Sequence, residues 1–195
     1  MLSYIGFFFC IAGILLVNSQ QSTKHANLFN LDNSDATVYA GGSLRQANEN
    51  NFPILQGQFG SMAIITLKPG GIRQPHWHPF AWEMNYVLSG KAKWSIVGTN
   101  GQHDSFVAKT GDLVFVQQAW FHYFANANEN EDLIVLIVFN SGKAVSTDDI
   151  GIVAALNGIP TGILAASFDM PKAYFEKLPR NMTQTSIILR NSAKP

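Results

Sequence analysis

Three histidines and one glutamate in this chain have the types and the spacing to close around a metal ion: His76, His78, Glu83 and, forty-four positions after His78, His122. Between Pro75 and Pro79 the chain reads His76-Trp77-His78. Alternate side chains of a strand share a face, so both imidazoles point one way and Trp77 the other. Glu83 opens the run Met84-Asn85-Tyr86-Val87-Leu88 and can reach back across a short corner. His122, inside Ala119-Trp120-Phe121-His122-Tyr123-Phe124, would arrive from a distant strand. Neutral imidazoles with a hard carboxylate suit Mn, Fe, Ni, Cu or Zn. On a six-coordinate ion, four protein ligands leave two adjacent positions open for water, a bidentate substrate or dioxygen, whereas a closed structural site has none. The plainer reading is a polar cluster without metal, but three of the five histidines fall in this constellation. His25 and His103 receive no role.

Such ligands must be held by strands. From Phe52 to Phe139, short apolar runs are broken by Pro69-Gly70-Gly71, Ser89-Gly90, Thr99-Asn100-Gly101 and Thr110-Gly111-Asp112, the pattern of an antiparallel sandwich or barrel. Asn100-Gly101 suits a tight hairpin, because both residues tolerate positive φ. Leu133 to Phe139 is apolar on both faces and reads as a central, doubly covered strand. The polar stretch from Gln20 to about Ala47 reads as an irregular arm with one or two short edge strands. Beyond Asn140 the pattern turns helical. Asp148 and Asp149 look like capping acids of a helix ending at Asn157-Gly158, followed by short helices over 161–168 and 171–178.

The division that follows is a signal peptide over 1–19, an N-terminal arm over 20–51, a barrel core over 52–140, and a lid with a helical extension over 141–195. A chain of 195 residues makes one domain the prior. Charged residues are 13%, about half the usual share, which predicts a homo-oligomer that hides surface. Net charge is zero and no basic stripe appears, which argues against nucleic acid as a partner. The apolar run Ile5 to Val17 reads as a secretory signal cleaved near Ser19, too short for stable membrane insertion; a retained anchor is the competing reading. Cys10 lies in that segment, so the mature chain would have no thiol for disulfide, nucleophile or ligand. Asn181-Met182-Thr183 is a possible glycosylation site.

Gly70-x5-His76-x-His78-x4-Glu83-x6-Gly90 matches the first cupin motif at every position. The second, Gly111-x5-Gln117-x-Ala119-x2-His122-x3-Asn126, matches at Gly111, His122 and Asn126 and departs at Gln117 and Ala119, where Pro and Gly are usual. The chain thus resembles the cupins over about 52–139, and the resemblance implies an all-β jelly-roll barrel with the metal inside its mouth. Within cupins it is similar to the secreted germins and spherulins and to one half of the bicupin oxalate decarboxylases. Arg73-Gln74-Pro75-His76-Trp77-His78-Pro79 and the tail Ile163-Leu164-Ala165-Ala166-Ser167-Phe168 are similar to the latter in particular.

In that group an arginine three residues before the first ligand histidine grips oxalate, and Arg73 matches its position. A planar guanidinium can hold a carboxylate by two parallel hydrogen bonds; a solvated charge after a Gly-Gly turn is the plainer reading. The decarboxylases also carry a proton-donating glutamate in a lid, at a position falling here near Ser146. Asp148 and Asp149 are close enough to substitute. The implied activity is oxidation or decarboxylation of oxalate or a similar small dicarboxylate, with dioxygen and Mn, Fe standing second. The competing class is a secreted, non-enzymatic metal-binding protein of storage, stress or the cell surface.

Overall fold

In the computed structural model, which describes residues 25–180 and 185–190, the chain is mostly β with a short helical tail. Ten strands build the body: β1 (Thr37–Tyr39), β2 (Gly42–Ala47), β3 (Ser61–Leu67), β4 (Gly71–Trp77), β5 (Glu83–Ser89), β6 (Lys91–Val97), β7 (His103–Lys109), β8 (Leu113–Val116), β9 (Phe121–Asn126) and β10 (Leu133–Phe139). They form two antiparallel sheets, one ordered β1-β2-β3-β10-β5-β8 and the other built on β4-β9-β6-β7. The expected signal segment 1–19 with Cys10, and Asn181, lie outside the described residues.

Alternation makes the two sheets face each other. In β3 the residues Ala63, Ile65 and Leu67 are buried, and in β6 Ala92, Trp94 and Ile96 are. They meet Val87, Phe124, Val135 and Ile137 in one core. Trp94 packs on Phe124 with ring centroids 4.6 Å apart and planes tilted by 30°, and both are fully buried. Truncating either to Ala would cost about 3–5 kcal/mol. Gly90, at φ +86°, makes the turn from β5 to β6, and a Cβ there would strike the Asn128 side chain and the backbone of Asp132.

Several elements differ from the sequence reading. The arm supplies more than edge strands: β2 pairs along its whole length with β3, leaving β1 at the edge. The hairpin is wider than two residues, since Gly98 and Gln102 close it, although Asn100 and Gly101 do take positive φ. β10 is central, but Ile134, Leu136 and Val138 are only half-buried, so it is covered on one face rather than two.

The helix expected from Asp148 is broken into three pieces. A single turn, α1 (Val145–Asp148), precedes a short strand, β11 (Ile150–Gly151), and only then comes α2 (Ile152–Gly158). No side chain caps either helix, so Asp148 and Asp149 are not the capping acids. The backbone instead pairs Ile150 with Trp77 and Gly151 with His76. Helices α3 (Thr161–Phe168) and α4 (Lys172–Glu176) follow, and β12 (Ile187–Leu189) then pairs with Arg73, Ile72 and Gly71. Together β11 and β12 cover the edge of β4 that β9 leaves free, removing an exposed strand edge.

Candidate metal centre

Strands β4, β5 and β9 bring the four chelating side chains to one point. His76 lies opposite His122 in the β4–β9 pair, with an irregular register between Arg73 and His76. His78 follows the end of β4, and Glu83 is the first residue of β5. All four side chains are at most 2% exposed, and their ligand atoms lie within 4.8 Å of one another. Glu83 Oε1 is 2.9 Å from His122 Nε2, and Glu83 Oε2 is 3.4 Å from His78 Nε2.

The hydrogen bonds behind the rings fix which nitrogen faces inward. His76 Nδ1 donates to the Gln74 carbonyl at 2.7 Å, His122 Nδ1 to the Trp120 carbonyl at 2.9 Å, and His78 Nδ1 to the Asp148 carbonyl at 3.2 Å. A carbonyl only accepts, so each Nδ1 carries a proton and it is each ring's Nε2, a lone pair in the form that binds a metal, that faces the cluster. Two of these nitrogens, on His76 and His78, face each other at 3.0 Å. The His122 Nε2 is close to Glu83 by distance yet has no well-aligned hydrogen-bond partner. Three Nε2 atoms and a carboxylate converging on one point make an electron-rich hollow that a cation satisfies. Donor separations of about 3 Å are also those set by bonds of about 2.1 Å at right angles.

Electrostatics prepares the same state. Burial, then the nearby charge of Arg73 and the other two histidines, lowers the pKa of His76 well below its ordinary value of 6.5, which keeps it neutral. For Glu83, burial alone would push the carboxyl up. The proximity of His122, and after it His78, outweighs burial and holds the carboxyl well below its usual range. Asn85, fully buried two residues along β5, donates from its amide to Glu83 Oε1 at 3.1 Å. Sequence reasoning missed this contact, although i, i+2 spacing on a strand was its signal.

Arg73 is 2% exposed, so it is not a solvated charge. Its Nη2 lies 2.6 Å from Asp149 Oδ2, and its Nη1 donates to the Ser186 carbonyl at 3.1 Å. Asp149 therefore joins the site as the ion-pair partner of Arg73, seventy-six residues away in sequence. Asp148 contributes its backbone carbonyl to His78, and its own residue is buried. The Ser146 side chain lies outside what the structure describes.

A family model described as Cupin matches residues 27–173. An oxalate decarboxylase of Arthroderma benhamiae is 34% identical over 142 residues, which is 72% of this chain and 32% of that protein. Oxalate decarboxylase OxdC of Bacillus subtilis is 29% identical over 140 residues, covering 72% and 35%. Germin-like protein 3-7 of Oryza sativa subsp. japonica is 30% identical over 131 residues, covering 67% and 56%. A solved structure of the Bacillus subtilis oxalate decarboxylase has a similar fold, with TM-score 0.72 at 24% identity over 84% of this chain and 41% of that one. The chain thus spans about a third of the length of those two decarboxylases.

Proposed function

The chain belongs to the cupin family, and from that membership we propose a metal-dependent enzyme that acts on oxalate or a similar small dicarboxylate. The observation that carries this reading is a buried arginine, Arg73, beside a cluster of three imidazole nitrogens and a carboxylate. A dianion could be held at both ends there, and relatives bearing the name oxalate decarboxylase fit that substrate. His76, His78, Glu83 and His122 would hold Mn, with Fe second. When bound, the ion supplies a Lewis-acid and one-electron centre for reaction with dioxygen.

The remaining chemistry falls to the chain's own groups. Among the described residues Arg73 donates to the Ser186 carbonyl and to the Asp149 carboxylate. An incoming carboxylate competes with Asp149 for the same guanidinium. Once displaced, the Asp149 carboxylate would stand beside the substrate, take up the proton that hydrogen oxalate brings, and return it to the carbon left when carbon dioxide departs, giving formate. Of the two lid aspartates Asp149 takes this role, while Asp148 holds His78 through its carbonyl. Without that proton both carbons leave as carbon dioxide and dioxygen is reduced to peroxide.

A second reading, a metal-binding protein without turnover, is favoured by the pairing of Arg73 with Asp149, which already satisfies the guanidinium. The chain spans 56–65% of the germin-like proteins 3-7 and 5-1 of Oryza sativa subsp. japonica. Secretion belongs to both readings and rests on the apolar run from Ile5 to Val17. Among the described residues no helix is long and apolar enough to cross a membrane. The deciding experiment incubates Mn-loaded protein with oxalate in air and assays formate and peroxide. Formate is expected of a decarboxylase and peroxide of an oxidase, and neither product supports the binding protein.

A further inference from the structure

Each histidine of the cluster is fixed from behind by a main-chain carbonyl, that of Gln74, Trp120 or Asp148. Glu83 is held differently. Apart from the ligand histidines, the group that bonds its carboxylate among the described residues is a side chain, the amide of Asn85. Packing does not call for an amide there. β5 runs between β10 and β8, and Asn85 stands opposite Ile137 on one side and Val114 on the other, both buried. Val87, the next inward residue of β5, is fully buried as well, so an aliphatic side chain would suit the position. A carboxylate only accepts, so Nδ2 of Asn85 faces Glu83 and Oδ1 is turned away from it. That buried Oδ1 has no hydrogen-bond partner among the described residues. A buried carbonyl left unpaired lowers stability, and a departure of this kind is expected where function overrides packing.

We propose that Asn85 is a positioning residue of the metal centre, whose N–H fixes the Glu83 carboxylate in the direction from which it meets the ion. The inference rests on the metal-binding reading given above and goes beyond its ligand set. The terminal torsion of a glutamate is broad, and its carboxylate presents about four lone-pair sites. The hydrogen bond of 3.1 Å to Oε1 takes one of those sites and opposes rotation, so the carboxylate is aimed before an ion arrives. Partners that hold a ligand in this way govern how tightly the ion is bound.

Calorimetric titration of Mn into the metal-free full chain tests it, with Asn85→Val and the smaller Asn85→Ala beside the wild type. Both variants should bind Mn about ten- to a hundredfold more weakly. Metal-free Asn85→Val should unfold in urea at the same midpoint as the wild type or a higher one, because the unpaired carbonyl is gone. At saturating Mn(II), electron paramagnetic resonance should show an altered zero-field splitting in both variants, which a packing role would not produce. Nuclear magnetic resonance of the wild type needs no variant: the Asn85 side-chain amide protons should exchange slowly and shift when Zn, a diamagnetic ion, is added. Mn affinity of Asn85→Val within about twofold of the wild type overturns the proposal while the metal centre stands. So does an unchanged splitting, or an Asn85 amide unmoved by Zn. A lower midpoint in metal-free Asn85→Val overturns it too, since Asn85 would then serve the fold. A wild type that takes up no Mn removes the metal reading itself, and the proposal with it.

Discussion

At the residue scale, the site rests on contacts that leave specific groups dependent on one another. The Arg73–Asp149 pair is buried on both sides, at 2% and 1% side-chain exposure. Asp149→Ala strands a guanidinium in the interior and should lower unfolding stability by about 3 kcal/mol. Urea denaturation would measure this, and a loss below about 1 kcal/mol would show that the pair is open to water. Arg73→Ala should keep bound metal while weakening oxalate binding by about 2 kcal/mol, read by calorimetry. Unchanged affinity would remove Arg73 from substrate binding. Protons act on the same cluster. His76 and Glu83 both have native pKa values below their unfolded ones, so the unfolded chain binds more protons and stability rises with pH. The His76 contribution is present above its ordinary value of 6.5 and is lost as pH falls through the lower native value; that of Glu83 is lost below 4.5. The melting temperature of metal-free protein should therefore drop between about pH 7 and pH 5.5, less steeply in His76→Gln. Equal slopes for both proteins would contradict that assignment.

At the element scale, what the sequence made legible was local. His-x-His alternation, the turn glycines and the run from Leu133 to Phe139 each encode a strand or turn within a few residues. What stayed hidden depends on partners far along the chain. The capping expectation for Asp148 and Asp149 failed because Arg73, seventy-six residues earlier, draws Asp149 to itself, while His76 and Trp77 take Gly151 and Ile150 into a ladder. The return of Ile187–Leu189 to β4 had no periodic signal, being only three residues long. The departure at Ala119 has a structural consequence. The Trp120 N–H closes a turn on the Gln117 carbonyl, and Ala119 sits in it at φ +65°, a conformation that glycine adopts freely. The Ala119 N–H also donates to the His78 carbonyl at 2.9 Å, tying this turn to the metal centre. Ala119→Gly should relieve strain of about 1–2 kcal/mol, partly offset by the greater freedom of the unfolded chain, for a net gain of up to about 1 kcal/mol. A lower melting temperature in that variant would mean that the methyl group contributes packing that outweighs the strain.

At the scale of the whole molecule, two sheets, with β11 and β12 paired onto β4, bury four polar side chains at one point. The arrangement is intelligible if the protein folds around, or for, a cation. Binding to the native state alone stabilises it by mass action, about 2.7 kcal/mol when the free metal is at a hundred times its dissociation constant. Mn should therefore raise the melting temperature of the wild type by several degrees, and a chelator should reverse the rise. The central claim is that His76, His78, Glu83 and His122 hold one ion, and metal content measured by inductively coupled plasma mass spectrometry tests it most directly. About one equivalent in the wild type and its loss in both Glu83→Ala and His122→Ala is the predicted result; full metal content in both variants would contradict it.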